Sequence, residues 1–313
     1  MQAMIPADPQ TPPPDLLGPV RFHADAGHDE ALAVQMVDVF CSGPLSGNPL
    51  AVVFGAEGWK SEDMQRLTRW FNLSETTFLL PATHPDADYR IRIFTLEREM
   101  PFAGHPTLGS CHAWLVAGHV PKKGGQIVQE CGAGLIAIRR DGERLSFAAP
   151  PLIRSGPPSR DELDEARRLL GIEEHEIVDA AWIDNGPGWL GIRLGSAQRV
   201  LSLKPARSWP GRIDVGVVGL HDSGGEAAVE VRAFFSDHLG TIVEDPVTGS
   251  LNASVAQWLF ATGVVEEAYV AAQGSCLGRD GRIHLSRDET GQVWVGGDTR
   301  THVAGRLLGL RQG

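Results

Sequence analysis

Short runs in which apolar and polar residues alternate dominate this chain, and stretches with helical spacing are few. From Ala33, AVQMVDVF alternates as a strand does, residues 43–49 read as loop, and LAVVF is a second apolar run. Ser61 is expected to cap a helix whose Met64, Leu67, Thr68 and Phe71 share one face. TTFLLP and YRIRIFT are β-branched, aromatic and alternating, which predicts two more strands. CHAWLVAG after Ser110 predicts a helix ending at Gly118, and QIVQECGAGLIAIRR with RLSFAAP predicts a hairpin turning near Asp141 and Gly142. Beyond a Pro-, Ser- and Gly-rich stretch at 149–159 the theme returns. DELDEARRLLG is a helix, WLGIRL, RVLSL, VEVRAFF, IHLS and VWVGG are strand candidates, and LNASVAQWLFATG is a longer helix. One long helix per half among mixed strands predicts an α+β fold of two similar halves rather than a doubly wound sheet. The halves are assigned to residues 34–152 and 153–313. Residues 1–33, with six prolines among the first nineteen, hold too little apolar surface to join either core and are expected to be a disordered extension.

One motif occurs twice. Residues 92–110, RIFTLEREMPFAGHPTLGS, align without a gap with residues 232–250, RAFFSDHLGTIVEDPVTGS. The alignment matches Arg92 with Arg232, Phe94 with Phe234, Pro106 with Pro246, Gly109 with Gly249 and Ser110 with Ser250. Each copy reads as a strand, a loop and a Pro-x-x-Gly-Ser turn into an apolar helix, and two such turns can aim two helix N-termini at one cleft. Gly104 and His105 then fall opposite Glu244 and Asp245. A duplicated scaffold with different ionisable groups at its two turns predicts an active site between the halves.

Composition narrows the functions open to the chain. Hydrophobic residues make up 42% and charged residues 21% of its 313 residues, the profile of a globular protein. Lys and Arg number 28 against 39 Asp and Glu, a net charge of −11, and no basic cluster exceeds a pair, so no nucleic-acid partner is expected. Cys41, Cys111, Cys131 and Cys276 are scattered and form no C-x-x-C, so neither a disulfide framework nor a metal site is expected. No apolar run is long enough for a membrane span and no secretion signal opens the chain, which predicts a cytoplasmic protein without a membrane partner. No G-x-G-x-x-G follows a strand and no G-x-x-x-x-G-K occurs, so no nicotinamide, flavin or nucleotide cofactor is expected.

Glu75, in FNLSETTFLL beside Ser74, is a lone carboxylate in an apolar and hydroxylic stretch. Burial there would raise its pKa toward the range where one group takes and returns a proton near neutrality. The N-x-x-E spacing from Asn72 equally fits a capping box. His105, between Gly104 and Pro106 at a helix entry, is placed to donate to a carboxylate or carbonyl, to relay a proton, or simply to solvate a turn. Asp245 holds the matching turn, where a helix N-terminus would lower its pKa and keep a charge able to anchor an amine; an ordinary N-cap is the other reading. Ser110 and Ser250 follow Gly109 and Gly249 and offer hydroxyl and N–H groups suited to a carboxylate. Asn48, in Gly-Asn-Pro, can present its amide to a ligand or merely turn the chain. Cys111 matches Leu251, so a symmetric thiol pair is absent, and Trp114 and Trp258 are expected in the core.

Taken in order, GNPLAVVF, FNLSETTFLLP, MPFAGHPTLGS, EDPVTGSLNASVAQWL and QGSCLGR strongly resemble the PhzF-like isomerase family of phenazine biosynthesis, over residues 37–285. The resemblance implies a diaminopimelate-epimerase-like fold, in which each half wraps a mixed sheet around a central helix and the site lies in the cleft. It also implies a homodimer. The family activity is cofactor-free isomerisation of trans-2,3-dihydro-3-hydroxyanthranilate, a small cyclic acid with a carboxylate and an amino group. Carried over, Glu75 moves a proton between ring carbons while His105 and Asp245 hold and polarise the substrate. Asn48, Ser74, Gly104, Gly249 and Ser250 complete the expected substrate-binding set. Residues 95–99 are more charged than the family's approach to this turn, and Asp280 stands where the family often has Pro or a small residue; both changes fall at the pocket rim. Two other readings remain open: an epimerase or racemase, which needs two opposed acid/base groups, and a binding protein that keeps the cleft without turnover.

Overall fold

The computed structural model describes residues 31–308; the expected extension lies outside the described residues up to position 30, while Leu32 and Ala33, assigned to it, are instead buried in the first strand. The chain runs through β1 (Leu32–Val39), β2 (Asn48–Phe54), α1 (Ser61–Phe71), β3 (Glu75–Leu80), β4 (Tyr89–Thr95), β5 (Glu99–Met100), α2 (Gly104–Val116), β6 (Gln126–Cys131), β7 (Gly134–Asp141) and β8 (Arg144–Ala148). It then runs through β9 (Arg154–Gly156), α3 (Arg160–Leu170), β10 (Ile177–Asp184), β11 (Leu190–Leu194), α4 (Ala197–Leu201), β12 (Asp214–Leu220), β13 (Val229–Ser236) and β14 (Ile242–Asp245). Last come α5 (Gly249–Ala261), β15 (Tyr269–Gln273), β16 (Gly281–Arg287), β17 (Val293–Gly297) and β18 (Thr299–Leu307).

Hydrogen bonds join the strands of one half in the order β18-β1-β2-β3-β4-β6-β7-β8, and those of the other in the order β9-β10-β11-β12-β13-β15-β16-β17. The two orders correspond strand by strand. The parallel pairs β2–β3 and β4–β6 are matched by β11–β12 and β13–β15, and the short β5 on β4 is matched by β14 on β13. Antiparallel pairing of β8 with β17, Phe147 opposite Val295, makes the whole one sheet of 18 strands. The last strand, β18, comes back to pair with β1, so its residues complete the first half rather than the second, to which they were assigned.

Each sheet curls around one helix. Residues 104–111 of α2 are all buried, as are Leu251 to Ala256 of α5, and a helix enclosed on every side has no polar stripe. Trp114 and Trp258 lie in this shared core, as expected. The amphipathic helices cover the outer faces: α1 sets Met64 and Leu67 against Val53 and Phe78, and α3 sets Leu169 and Leu170 near Ile192 and Val215.

Three local expectations change. Helix α2 begins at Gly104, well before Ser110, because the enclosing sheet buries its first turns. RVLSL is no strand: Ser196 accepts a hydrogen bond from the Arg199 N–H and starts α4, which buries Ala197 and Val200. Ser61 is the first helical residue rather than the cap, and its hydroxyl accepts from Arg92 Nη2 at 2.7 Å. No helix among the described residues is long and apolar enough to cross a membrane.

Candidate active site

Helices α2 and α5 meet end to end at their N-termini. A Cβ built on Gly249 would lie 3.0 Å from Gly104 Cα and 3.1 Å from His105 N, so neither position has room for a side chain. This contact corrects the gapless alignment of the repeat. Along β4 and β13 the match holds, since Arg92 and Arg232 lie in corresponding strands. The hairpin that follows is five residues longer in the second half, so Gly249 stands at the helix start where Gly104 does. Both helices then run for 13 residues. The structural twin of His105 is therefore Ser250, that of Asp245 is Met100, and that of Pro101 is Pro246.

Glu75 opens β3, with Asn72 in the left-handed conformation ending α1 just before it; no helix starts there, so the capping-box reading falls away. The Glu75 side chain is 18% exposed, yet its Oε2 is fully enclosed and without a hydrogen-bond partner. His105 Nε2, also enclosed and without a partner among the described residues, lies 3.6 Å from it. Burial, reinforced by the charge of Asp245, raises the Glu75 pKa far above the usual carboxylate range. His105 is only 4% exposed, not a turn residue in solvent, and burial lowers its pKa to about 3, so it is neutral. Asn48, the first residue of β2, directs its amide nitrogen to Val247 O at 2.9 Å and toward His105 Nδ1 at 3.5 Å. With Nδ1 accepting, the imidazole proton sits on Nε2, facing Glu75.

Asp245 ends β14, three residues ahead of the α5 N-cap Thr248, and is not itself the cap. Its Oδ1 accepts from Ser74 Oγ at 3.4 Å and its Oδ2 from Thr248 Oγ1 at 2.5 Å. The expected lowering of its pKa does not occur. Desolvation outweighs the hydrogen bonds from Thr248, Ser74 and Asn48, and the neighbouring Glu244 adds to it, so the pKa is raised. Ser250, on the first turn of α5, accepts from Trp189 Nε1 at 3.1 Å, and its carbonyl accepts from Asn185 Nδ2 at 2.8 Å. Ser110 is elsewhere: it lies inside α2 and donates to Thr77 Oγ1 at 2.8 Å.

Fold and packing thus bring Asn48, Ser74, Glu75, His105 and Asp245 together beside the two abutting glycines. Thr248, Gln273, Asn185 and Trp189 join them unforeseen; the first two lie in visible motifs but are not themselves ionisable. Of the charged residues 95–99, Glu97 bridges the halves, with Oε1 3.0 Å from His238 Nδ1, and Glu99 pairs with Arg92. Asp280 accepts from Ser42 Oγ at 2.6 Å. Two cavities of about 430 and 520 Å³ lie elsewhere and include none of Glu75, His105 or Asp245. Among the described residues, no group of three His, Cys, Asp or Glu is placed to hold a metal ion.

Comparison with known proteins identifies the family. The family model described as phenazine biosynthesis-like protein matches residues 37–308. Antisense-enhancing sequence 1 of Schizosaccharomyces pombe is 34% identical over 87% of this chain and 97% of its own length. Trans-2,3-dihydro-3-hydroxyanthranilate isomerase of Pseudomonas chlororaphis is 31% identical over 87% of this chain and 98% of its own. A solved structure of a predicted epimerase from Pseudomonas aeruginosa superposes with a TM-score of 0.72 and 27% identity, covering 90% of this chain and 100% of that one. A family model that matches residues 37–308, and relatives matched over nearly their whole length, place this chain in the phenazine biosynthesis-like protein family as an isomerase.

Proposed function

We propose that the chain is a cofactor-independent isomerase that moves a proton between carbons of a small cyclic acid bearing amino or hydroxyl groups, with Glu75 as its acid/base. The observation that carries this reading is the enclosed pair Glu75 Oε2 and His105 Nε2, each without a hydrogen-bond partner and 3.6 Å apart. A carboxyl group with a strongly raised pKa has both protonation states within reach near neutrality, which lets one group take a proton from one carbon and return it to another. Neutral His105 donates from Nε2, Asp245 faces a substrate amino group, and Ser250 with the first N–H groups of α2 and α5 receives the carboxylate. An epimerase would need a second acid/base group opposed to Glu75, a part that Asp245, with its own raised pKa, could take. The homodimer belongs to the same proposal and is read by sedimentation equilibrium.

The test is NMR-monitored turnover of trans-2,3-dihydro-3-hydroxyanthranilate in D₂O by the wild type and by Glu75→Gln. The expected outcome is conversion with deuterium incorporated by the wild type alone. Equal conversion by Glu75→Gln would remove Glu75 from its role.

A further inference from the structure

We infer that Gln273 is a positioning residue for Asp245, acting through the hydroxyl of Thr248; the inference rests on the proposed place of Asp245 in the substrate site. Gln273 ends β15 and is only 1% exposed, and every hydrogen-bonding position of its amide is engaged. Its Oε1 accepts from Thr248 N at 3.0 Å and from Asn252 Nδ2 at 2.8 Å. Its Nε2 donates to the Asp245 carbonyl at 3.1 Å and to Thr248 Oγ1 at 2.9 Å. The backbone partners fix which end is which, because Thr248 N–H only donates and the Asp245 carbonyl only accepts.

That orientation has a consequence for Thr248. Its Oγ1 already accepts from Gln273, so its own hydrogen is directed to Asp245 Oδ2, 2.5 Å away. Gln273 therefore holds both the backbone of the Asp245 turn and the donor on its carboxylate. The other half of the molecule is an internal control. There the twin of Asp245 is Met100, the twin of Thr248 is Ala103, and strand register places Cys131 where Gln273 stands. The half with no carboxylate at this turn has no clamp for one.

The test uses the full chain with its aspartates labelled with ¹³C at the side-chain carboxyl, the Asp245 signal being assigned by its loss in Asp245→Asn. A hydroxyl donating to the charged carboxylate lowers its pKa, so withdrawing it lets the titration rise. Glu75 and Glu244 are the charged groups facing Asp245, and they remain in every variant. Gln273→Met and Thr248→Val are each expected to move the Asp245 midpoint upward by about one to two pH units, and Thr248→Ser to leave it in place. The double variant is expected to move it no further than Thr248→Val alone, since both changes withdraw the same donor. Gln273→Asn, a milder change that draws the donor back by one methylene, gives the same reading if Gln273→Met does not fold. An unmoved midpoint, or shifts that add in the double variant, would overturn the inference. Wild-type turnover by Asp245→Asn would instead overturn the functional reading of Asp245 and leave the titration result untouched.

Discussion

At the head of α2 the chain reads Met100-Pro101-Phe102-Ala103-Gly104-His105, and at the head of α5 it reads Asp245-Pro246-Val247-Thr248-Gly249-Ser250. The proline and glycine recur because both turns must bring a helix N-terminus against its twin, where a side chain would collide. The remaining four positions differ in their chemistry. The supporting ion pairs show the same division. Arg92 pairs with Glu99 at 2.5 Å, and its twin Arg232 pairs with Glu244 at 2.8 Å, each arginine lying over a phenylalanine, Phe94 or Phe234. In the first half these side chains are 24% and 40% exposed; in the second they are 6% and 13% exposed, and Arg232 also donates to the carbonyls of Val200 and Leu203. A third pair follows from register. Glu75 lies opposite Thr95 and Asp214 opposite Phe235, so these two carboxylates are twins. Asp214 is gripped at both oxygens by Arg212, at 2.6 and 2.7 Å, whereas Glu75 pairs with no lysine or arginine among the described residues. Duplication preserved the backbone and left one member of this carboxylate pair, Glu75, without an arginine partner among the described residues.

The largest expected effect sets those twins apart. Glu75→Gln should lower turnover by about 10²–10⁴-fold, the usual share of a positioned acid/base, while Asp214→Asn leaves it near wild type. Steady-state kinetics of both variants checks this, and a comparable loss in Asp214→Asn would break the distinction. Next come the ion pairs. Arg232→Ala strands a half-buried Glu244 and should cost about 3–5 kcal/mol in urea unfolding, whereas Arg92→Ala, at a more exposed pair, should cost about 0–1 kcal/mol. Equal costs would mean that burial does not separate the halves.

Gly249→Ala and Gly104→Ala should each destabilise by about 1–3 kcal/mol because the abutting backbone must shift. Gly43→Ala, with nothing within 4 Å of a new Cβ, is the neutral comparison. The smallest effect is in pH. The folded-state pKa of Glu75 lies above its unfolded value, so its contribution to stability is fully present below the unfolded value and is lost as pH rises through the folded one. Glu75→Gln should therefore melt higher than the wild type, on the order of 2–4 °C, with the gain appearing as pH rises above the ordinary carboxylate range. Asp214→Asn, which loses its bond to Arg212, should melt lower; melting curves from pH 5 to 8 decide between these signs.

Much of the fold was legible in local pattern. AVQMVDVF, YRIRIFT and VEVRAFF alternate because one face of each strand meets a different layer from the other, and all three are strands. DELDEARRLLG carries its own start and stop, a Ser159–Glu162 capping box and a left-handed Gly171, so α3 falls where expected. Strand β12, DVGVVGL, is buried on nearly every residue and shows no alternation, and it was missed for that reason. RVLSL is too short for its periodicity to tell helix from strand, and a hydroxyl cap at Ser196 settled it.

By itself, the sequence determined the architecture of two similar halves, the identity of the residues at the two turns, and the presence of a carboxylate among apolar neighbours. Those properties are written in residue type and short spacing. Only the tertiary structure decided which residues are twins, because an insertion in one hairpin moves the true register by five residues and leaves the gapless match looking sound. It also decided the protonation chemistry. Next to a helix N-terminus Asp245 was expected to have a lowered pKa, but removal from water reverses the sign, with the adjacent Glu244 adding to it, and that enclosure is made by residues far apart in the chain.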